Sequence, residues 1–225
     1  MNKSKIEWCD YTWNPVTGCL HGCSYCYARR FAERGLGEYG KHTKVERFAP
    51  RFHPERLDEP AKVKKPSKIF VGSMTDMFGY WNDHETILEV LRAAGEAPWH
   101  TYIWLTKNPE GMSRYAPYFS EIDWVGVSAQ AKGYGTALFY LEKIQGARAR
   151  FVSFEPLLTD VRNIWQRSTP RVLDWLIVGA QTGPGAVPPK AEWVAEILNC
   201  ADDHGIPVFL KDNLHWPVKR QEFPR

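Results

Sequence analysis

The sequence predicts an α/β protein built as a partial (β/α) barrel of six or seven parallel strands. Three observations lead there. Short apolar runs, mostly rich in β-branched and aromatic residues, recur along the chain, as strands buried on both faces require. Between several of them apolar residues return at i, i+3, i+4 and i+7, the signature of a helix with one buried face. The alternation of the two means parallel βα units. At 225 residues the chain is slightly short of the roughly 250 that a closed eight-unit barrel takes. A doubly wound open sheet is the alternative arrangement.

In chain order, an extended segment is expected at 10–13 and a first helix at 28–35. Residues 36–67, polar and Pro-containing, read as a long excursion, lid-like or lying on the surface. A strand follows at 68–71. Ile87, Val90, Leu91 and Ala94 then form a helical stripe, with Asn82 or Asp83 placed to cap its start. Strands are expected at 101–105, 124–127, 150–154, 175–178 and 207–210. Ala137, Leu141 and Ile144 make a weaker stripe whose start is crowded by Gly133 and Gly135. Val194, Ile197, Leu198 and Ala201 make a third, which Gly205 ends in the C′ manner. There is no internal repeat, so residues 1–225 read as one domain carrying the 36–67 excursion.

Composition narrows the partners. Ten Trp, ten Tyr and eleven Phe exceed what a minimal core needs, so they either line a pocket or make a core of large side chains. The net charge of +3 is too mild to demand nucleic acid. Lys62, Lys64, Lys65 and Lys68, with Arg47, Arg51 and Arg56 upstream, form a basic run that suits phosphate or a solvated linker. Phe48, Phe52 and His53 stand among them, which favours a strand or nucleotide over charge alone. The first residues lack the apolar stretch of a signal peptide, and no run approaches membrane-spanning length, so a cytoplasmic protein with no membrane partner is expected. Of five cysteines, three fall within eight residues. In a reducing compartment such spacing favours metal or redox chemistry over disulfides.

Those three read Cys19-Leu-His-Gly-Cys23-Ser-Tyr-Cys26, a C-x3-C-x2-C loop. Thiolates so spaced wrap one 4Fe–4S cubane, each on its own iron, and leave one iron without a protein ligand. Gly22 permits the tight turn this needs. The alternatives are a zinc site with His21 or Cys9 as fourth ligand, or a cluster serving only structure or electron transfer. His21 is otherwise expected either to tune the cluster or, the favoured reading, to face solvent, and Cys200 to be a packing residue. Ligands of parallel βα folds sit at the carboxyl ends of the strands. Those ends carry Gly72, Ser73, Thr75 and Asp76, then Thr106 and Lys107, Ser128 and Gln130, Glu155, Gly179 and Gln181, and Lys211 and Asp212.

The cysteine spacing, with aromatic Tyr25 just before the last thiol, is similar to that of the radical S-adenosylmethionine (SAM) superfamily. The segment from Ile6 to Cys19 also resembles a phage-associated family of radical-SAM-like proteins, the Gp-thirty-seven/Gp-sixty-eight family. That resemblance continues through 52–57, 71–78, 105–107, 153–157 and 178–185, nearly the whole chain. It implies a 4Fe–4S cluster on Cys19, Cys23 and Cys26, with SAM on the open iron and an electron donor such as a flavodoxin or ferredoxin. It places Tyr25 beside the adenine, Gly72 and Ser73 at the SAM amino group with Asp76 close by, and Ser128 at the ribose or carboxylate. Gly179, Gln181 and the turn at 182–185 fall near the adenine, and Glu155 and Lys107 nearer the substrate. Members of that family often carry threonine where Cys9 stands and glutamate near Gln181, so neither ligation by Cys9 nor acid chemistry at Gln181 is expected. The substrate is a nucleotide or nucleic acid, or else a peptide or small metabolite, and a protein partner completing the site is compatible with an open barrel.

Overall fold

All seven expected extended runs are strands in the computed structural model, which describes residues 1–161 and 172–225. The chain divides into two compact units, Met1–Gly111 and Met112–Arg225.

The first unit opens with β1 (Asn2–Lys3), β2 (Tyr11–Trp13) and β3 (Val16–Thr17). The cysteine loop leads into α1 (Tyr27–Glu33), and β4 (Arg51–Phe52) and α2 (Glu59–Lys62) follow. Next come β5 (Lys68–Val71), α3 (His84–Gly95) and β6 (Thr101–Thr106). The short α4 (Pro109–Ser113) spans the point where this unit ends. β2, β5 and β6 pair in parallel, with β1 antiparallel on the edge. Trp13 stands level with Val71, and Val71 with Trp104, so β2 and β5 end together and β6 runs two residues further. Asp83 caps α3 by accepting from the Thr86 N–H at 2.8 Å.

The 36–67 stretch carries more structure than its composition suggests. Tyr39 and Phe48 bury against Ala28 and Ala32 of α1, and β4 pairs antiparallel with β3. The Trp13 indole N–H donates to the Arg56 carbonyl at 2.8 Å. Its arginines also bond within the protein. Arg47 donates to the Glu33 carbonyl at 2.8 Å and Arg51 to that of Glu46 at 2.7 Å. Arg56 bonds the Asn14 carbonyl at 3.1 Å and pairs with Glu38. Their guanidinium groups stitch the excursion to its own surroundings, and Phe48 is core.

The second unit holds β7 (Asp123–Ser128), β8 (Ala149–Phe154), β9 (Trp175–Val178) and β10 (Val208–Leu210), all parallel and in that order. Among the described residues its α-helices are α5 (Tyr134–Leu141) and α6 (Ala191–His204). Gly205, at φ 65°, closes α6 in the left-handed conformation that glycine adopts without penalty. Ile144, expected on the α5 stripe, is buried beyond the end of that helix. Trp175 is the hub of this core, with Phe151, Trp124 and Phe209 at ring distances of 5.2, 5.5 and 6.2 Å. Much of the aromatic surplus therefore fills the two cores. Among the described residues, no helix is long and apolar enough to cross a membrane.

Candidate functional site

In the first unit the carboxyl ends of β2, β5 and β6 carry the cysteine loop. Gly18 enters it at φ 87°, and a Cβ there would lie 2.2 Å from the Ala49 carbonyl oxygen, so only glycine lets the two backbones pass this closely. Gly18 N–H donates to the Met74 carbonyl at 2.9 Å, and Thr75 Oγ1 to the Gly18 carbonyl at 2.6 Å. Cys19, Cys23 and Cys26 are half-buried free thiols. Cys26 is also the N-cap of α1, where its Sγ accepts from the Arg29 N–H at 3.3 Å. Arg29 reaches back to the Cys19 carbonyl at 3.1 Å. Burial pushes the Cys19 thiol up to about 11, with Asp76, Cys26 and Cys23 adding to the effect against a backbone bond from His21. Burial and the adjoining Cys23 likewise raise the Tyr25 phenol to about 12.

Three free thiols in one loop are a donor set that a cubane takes, each thiolate on a separate iron. Zinc would instead need four ligands converging on one ion at about 2.0–2.3 Å. Neither expected fourth zinc ligand is positioned for the task. Cys9 is buried and donates to Ser4 Oγ at 3.1 Å. His21 Nε2 lies 2.7 Å from Asp76 Oδ2.

That last bond corrects the expectation that His21 faces solvent. Its side chain is 22% exposed, and its ring meets Trp81 edge-on at 4.9 Å. Asp76, only 5% exposed, accepts at Oδ1 from Thr106 Oγ1 at 2.6 Å and Phe78 N–H at 3.1 Å. At Oδ2 it accepts from Lys107 N–H at 2.8 Å and from His21. Both oxygens are thus engaged by protein donors. Ser73 Oγ donates to Asn14 Oδ1 at 3.1 Å, and the Tyr27 phenol donates to the Ser73 carbonyl at 2.6 Å. Lys107 Nζ stands 5.9 Å from the centre of the Tyr25 ring, within cation–π reach. Of the expected site residues in this unit, Tyr25, Gly72, Ser73, Asp76 and Lys107 all gather at the strand ends beside the loop.

In the second unit Ser128, Glu155, Gly179 and Gln181 lie at or just past the ends of β7, β8 and β9. Glu155 pairs with Lys211, which follows β10, and the two side chains are 25% and 14% exposed. Gly179 makes room for that pair, since a Cβ there would stand 3.0 Å from Lys211 Cδ and 3.2 Å from Glu155 Cγ. Asn213 clasps the Ala180 backbone in both directions, at 3.1 and 2.9 Å. Gln130 donates to the Pro156 carbonyl at 2.6 Å and accepts from Leu158 N–H at 3.1 Å, so it holds the loop after β8. Sequence reasoning missed the His21–Asp76 and Glu155–Lys211 pairs. Their partners lie 55 and 56 positions apart, and no spacing rule connects them.

A family model described as "Protein of unknown function (DUF5131)" matches residues 3–223. The chain belongs to this family. No curated protein matches this DUF5131 member. Its fold is found in solved structures of spore photoproduct lyase. One, complexed with dinucleoside spore photoproduct, aligns with a TM-score of 0.58 at 11% identity over 89% of this chain and 63% of that one. A cysteine-to-alanine mutant aligns at 0.63 and 10% identity over 93% and 79%. A doubly substituted form with bound AdoMet and dinucleoside spore photoproduct gives 0.58 and 10% over 89% and 63%. The DUF5131 chain thus spans a little under two thirds of the lyase chain in the ligand complexes, and the likeness establishes the α/β partial-barrel fold.

Proposed function

We propose that this protein is a radical SAM enzyme whose 4Fe–4S cluster is held by Cys19, Cys23 and Cys26. The observation that carries the reading is a loop of three free thiols at the carboxyl ends of parallel strands, in a fold shared with a lyase solved with AdoMet bound. Bound there and reduced, the cluster would supply the electron for reductive cleavage of the SAM sulfonium, radical chemistry of the 5′-deoxyadenosyl type that would take a hydrogen atom from substrate.

The chain's own residues bind and orient. Ligation requires thiolates, so the raised Cys19 means that cluster uptake releases protons. Cys26 is fixed at the N-terminus of α1 by its bond from the Arg29 N–H. The backbone at Gly72 and Ser73, fixed by Asn14 and Tyr27, receives the SAM amino group, and Tyr25 covers the adenine. Asp76 acts through the loop it holds. In the second unit Ser128, Gly179 and Gln181 are the SAM-binding candidates and Glu155, held by Lys211, the candidate that acts on substrate; in the first unit the substrate candidate is Lys107. All 225 residues act as one catalytic domain, in the cytoplasm, on a phage-associated branch of the superfamily. Electrons arrive from a flavodoxin- or ferredoxin-like donor, and a protein partner closes the open barrel.

A nucleotide or nucleic acid is the favoured substrate. Support comes from the lyase complexes with a dinucleoside photoproduct, now that the excursion's arginines are engaged internally. A peptide or small metabolite is the competing class. The deciding experiment is anaerobic reconstitution with iron and sulfide, reduction by dithionite, and chromatography for 5′-deoxyadenosine after SAM is added. Its appearance supports the reading. Full iron loading with no SAM cleavage would leave the non-enzymatic iron–sulfur module in its place.

A further inference from the structure

His21 sits between two of the proposed cluster ligands, in Cys19-Leu-His21-Gly-Cys23. Imidazole is a competent ligand for iron, and a histidine inside the loop is the nearest protein competitor for the one iron that three thiolates leave open. In the structure that imidazole is already engaged. Its Nε2 is 2.7 Å from Asp76 Oδ2, and its ring lies edge-on to Trp81 at 4.9 Å. Asp76 is itself immobilised, since Thr106 Oγ1 and the backbone N–H groups of Phe78 and Lys107 hold it between 2.6 and 3.1 Å. These donors come from the end of β6 and from the loop after β5, so the anchor is part of the sheet's rigid edge. A carboxylate accepts only, which makes Nε2–H the donor and fixes the ring's orientation.

We infer that Asp76 is a positioning residue that keeps His21 out of the cluster's coordination sphere, leaving the fourth iron open to SAM. The inference rests on the proposed cluster. It assigns the Asp76–His21 bond a purpose beyond holding the loop. A strut that only held the loop would stay broken when His21 is removed as well as Asp76. A guard behaves differently: losing Asp76 is harmful only while His21 remains.

The test uses the full chain, reconstituted anaerobically, with SAM itself as probe. In Asp76→Ala, pulsed electron paramagnetic resonance of the reduced cluster is expected to show hyperfine coupling to a histidine nitrogen that the wild type lacks. SAM binding, followed by its effect on the cluster spectrum, is expected to weaken by about 10–100-fold. Adding His21→Ala to that variant removes the nitrogen coupling and restores SAM binding, although the double variant lacks the same Asp76 bonds, so recovery excludes a folding defect as the cause. Asp76→Asn keeps an acceptor for Thr106 and Phe78 and is expected to show both changes in smaller measure, which covers the case of an alanine variant that does not fold. Wild-type SAM affinity in both single variants, or a double variant no better than Asp76→Ala, overturns the inference while leaving the cluster in place. A wild-type chain that takes up no cluster overturns the functional reading and the inference with it.

Discussion

Five cysteines with similar chemistry occupy three different settings. Cys19, Cys23 and Cys26 share a loop, Cys9 is buried with its thiol on Ser4, and Cys200 is buried on α6. Replacing any of the loop thiols by alanine is therefore expected to abolish SAM cleavage and lower bound iron, while Cys9→Ala and Cys200→Ala keep both. Iron and sulfide assays on the five reconstituted variants check this, and a Cys23→Ala protein with full iron and activity would refute the cluster assignment. Glu155 and Lys211 make a second residue-scale case. Removing only Lys211, as in Lys211→Met, strands a mostly buried carboxylate. The expected loss is about 1–3 kcal/mol, read from urea unfolding. Glu155→Gln combined with Lys211→Met should cost less than the single change, because neither partner is left charged and alone.

At the scale of elements, two short-range fits are exposed to test. β4 is joined to β3 partly through Thr17 Oγ1 and His53 Nε2, 2.9 Å apart. Burial, aided by Arg56, holds His53 below the usual imidazole range of about 6.5, against the opposing pull of Glu38 and Glu55. A depressed folded-state pKa means that the unfolded chain takes up its proton first as pH falls. Stability is then fully present above pH ~6.5 and declines as pH drops through the folded value. Wild-type protein should lose stability between about pH 7 and 5, and His53→Gln should lose less over the same interval in paired urea titrations. In β7, a Cβ on Gly126 would stand 2.3–2.5 Å from three ring carbons of Phe151 on the neighbouring β8. Gly126→Ala is expected to cost about 1–3 kcal/mol through overpacking, and Gly126→Ala with Phe151→Leu to recover part of it. Additive losses in that pair would show that the contact is not the cause.

For the whole molecule, a net charge of +3 and a pI near 8.5 predict modest electrostatic attraction to nucleic acid. Arg47, Arg51 and Arg56 bond within the protein, whereas Lys41, Lys44, Lys62, Lys64 and Lys65 of the same excursion are exposed and leave cationic groups for phosphate. If the substrate is a nucleic acid, single-stranded oligonucleotides should bind the SAM-loaded protein at low salt, with affinity falling as salt rises. Fluorescence anisotropy across a salt series measures this. No binding at low salt with cluster and SAM in place would shift the substrate to a peptide or small metabolite.

The amino-acid sequence by itself determined the strand and helix pattern, because burial on both faces restricts strands to β-branched and aromatic runs and burial on one face imposes the 3.6-residue stripe. It also marked the cysteine loop and the strand ends, since ligand spacing within a loop and the residue after a strand are both local properties. The β3–β4 pair was not legible: two-residue strands carry no periodicity, and they exist only because Gly18, Ala49 and Pro15 bring two backbones together. Charge counting also could not show that Arg47, Arg51 and Arg56 bond backbone carbonyls and a glutamate, partners that composition does not reveal. Only tertiary structure decided that His21 turns to Asp76 and Glu155 to Lys211. Each pair joins groups more than fifty residues apart, and a hydrogen bond is set by where the chain returns in space.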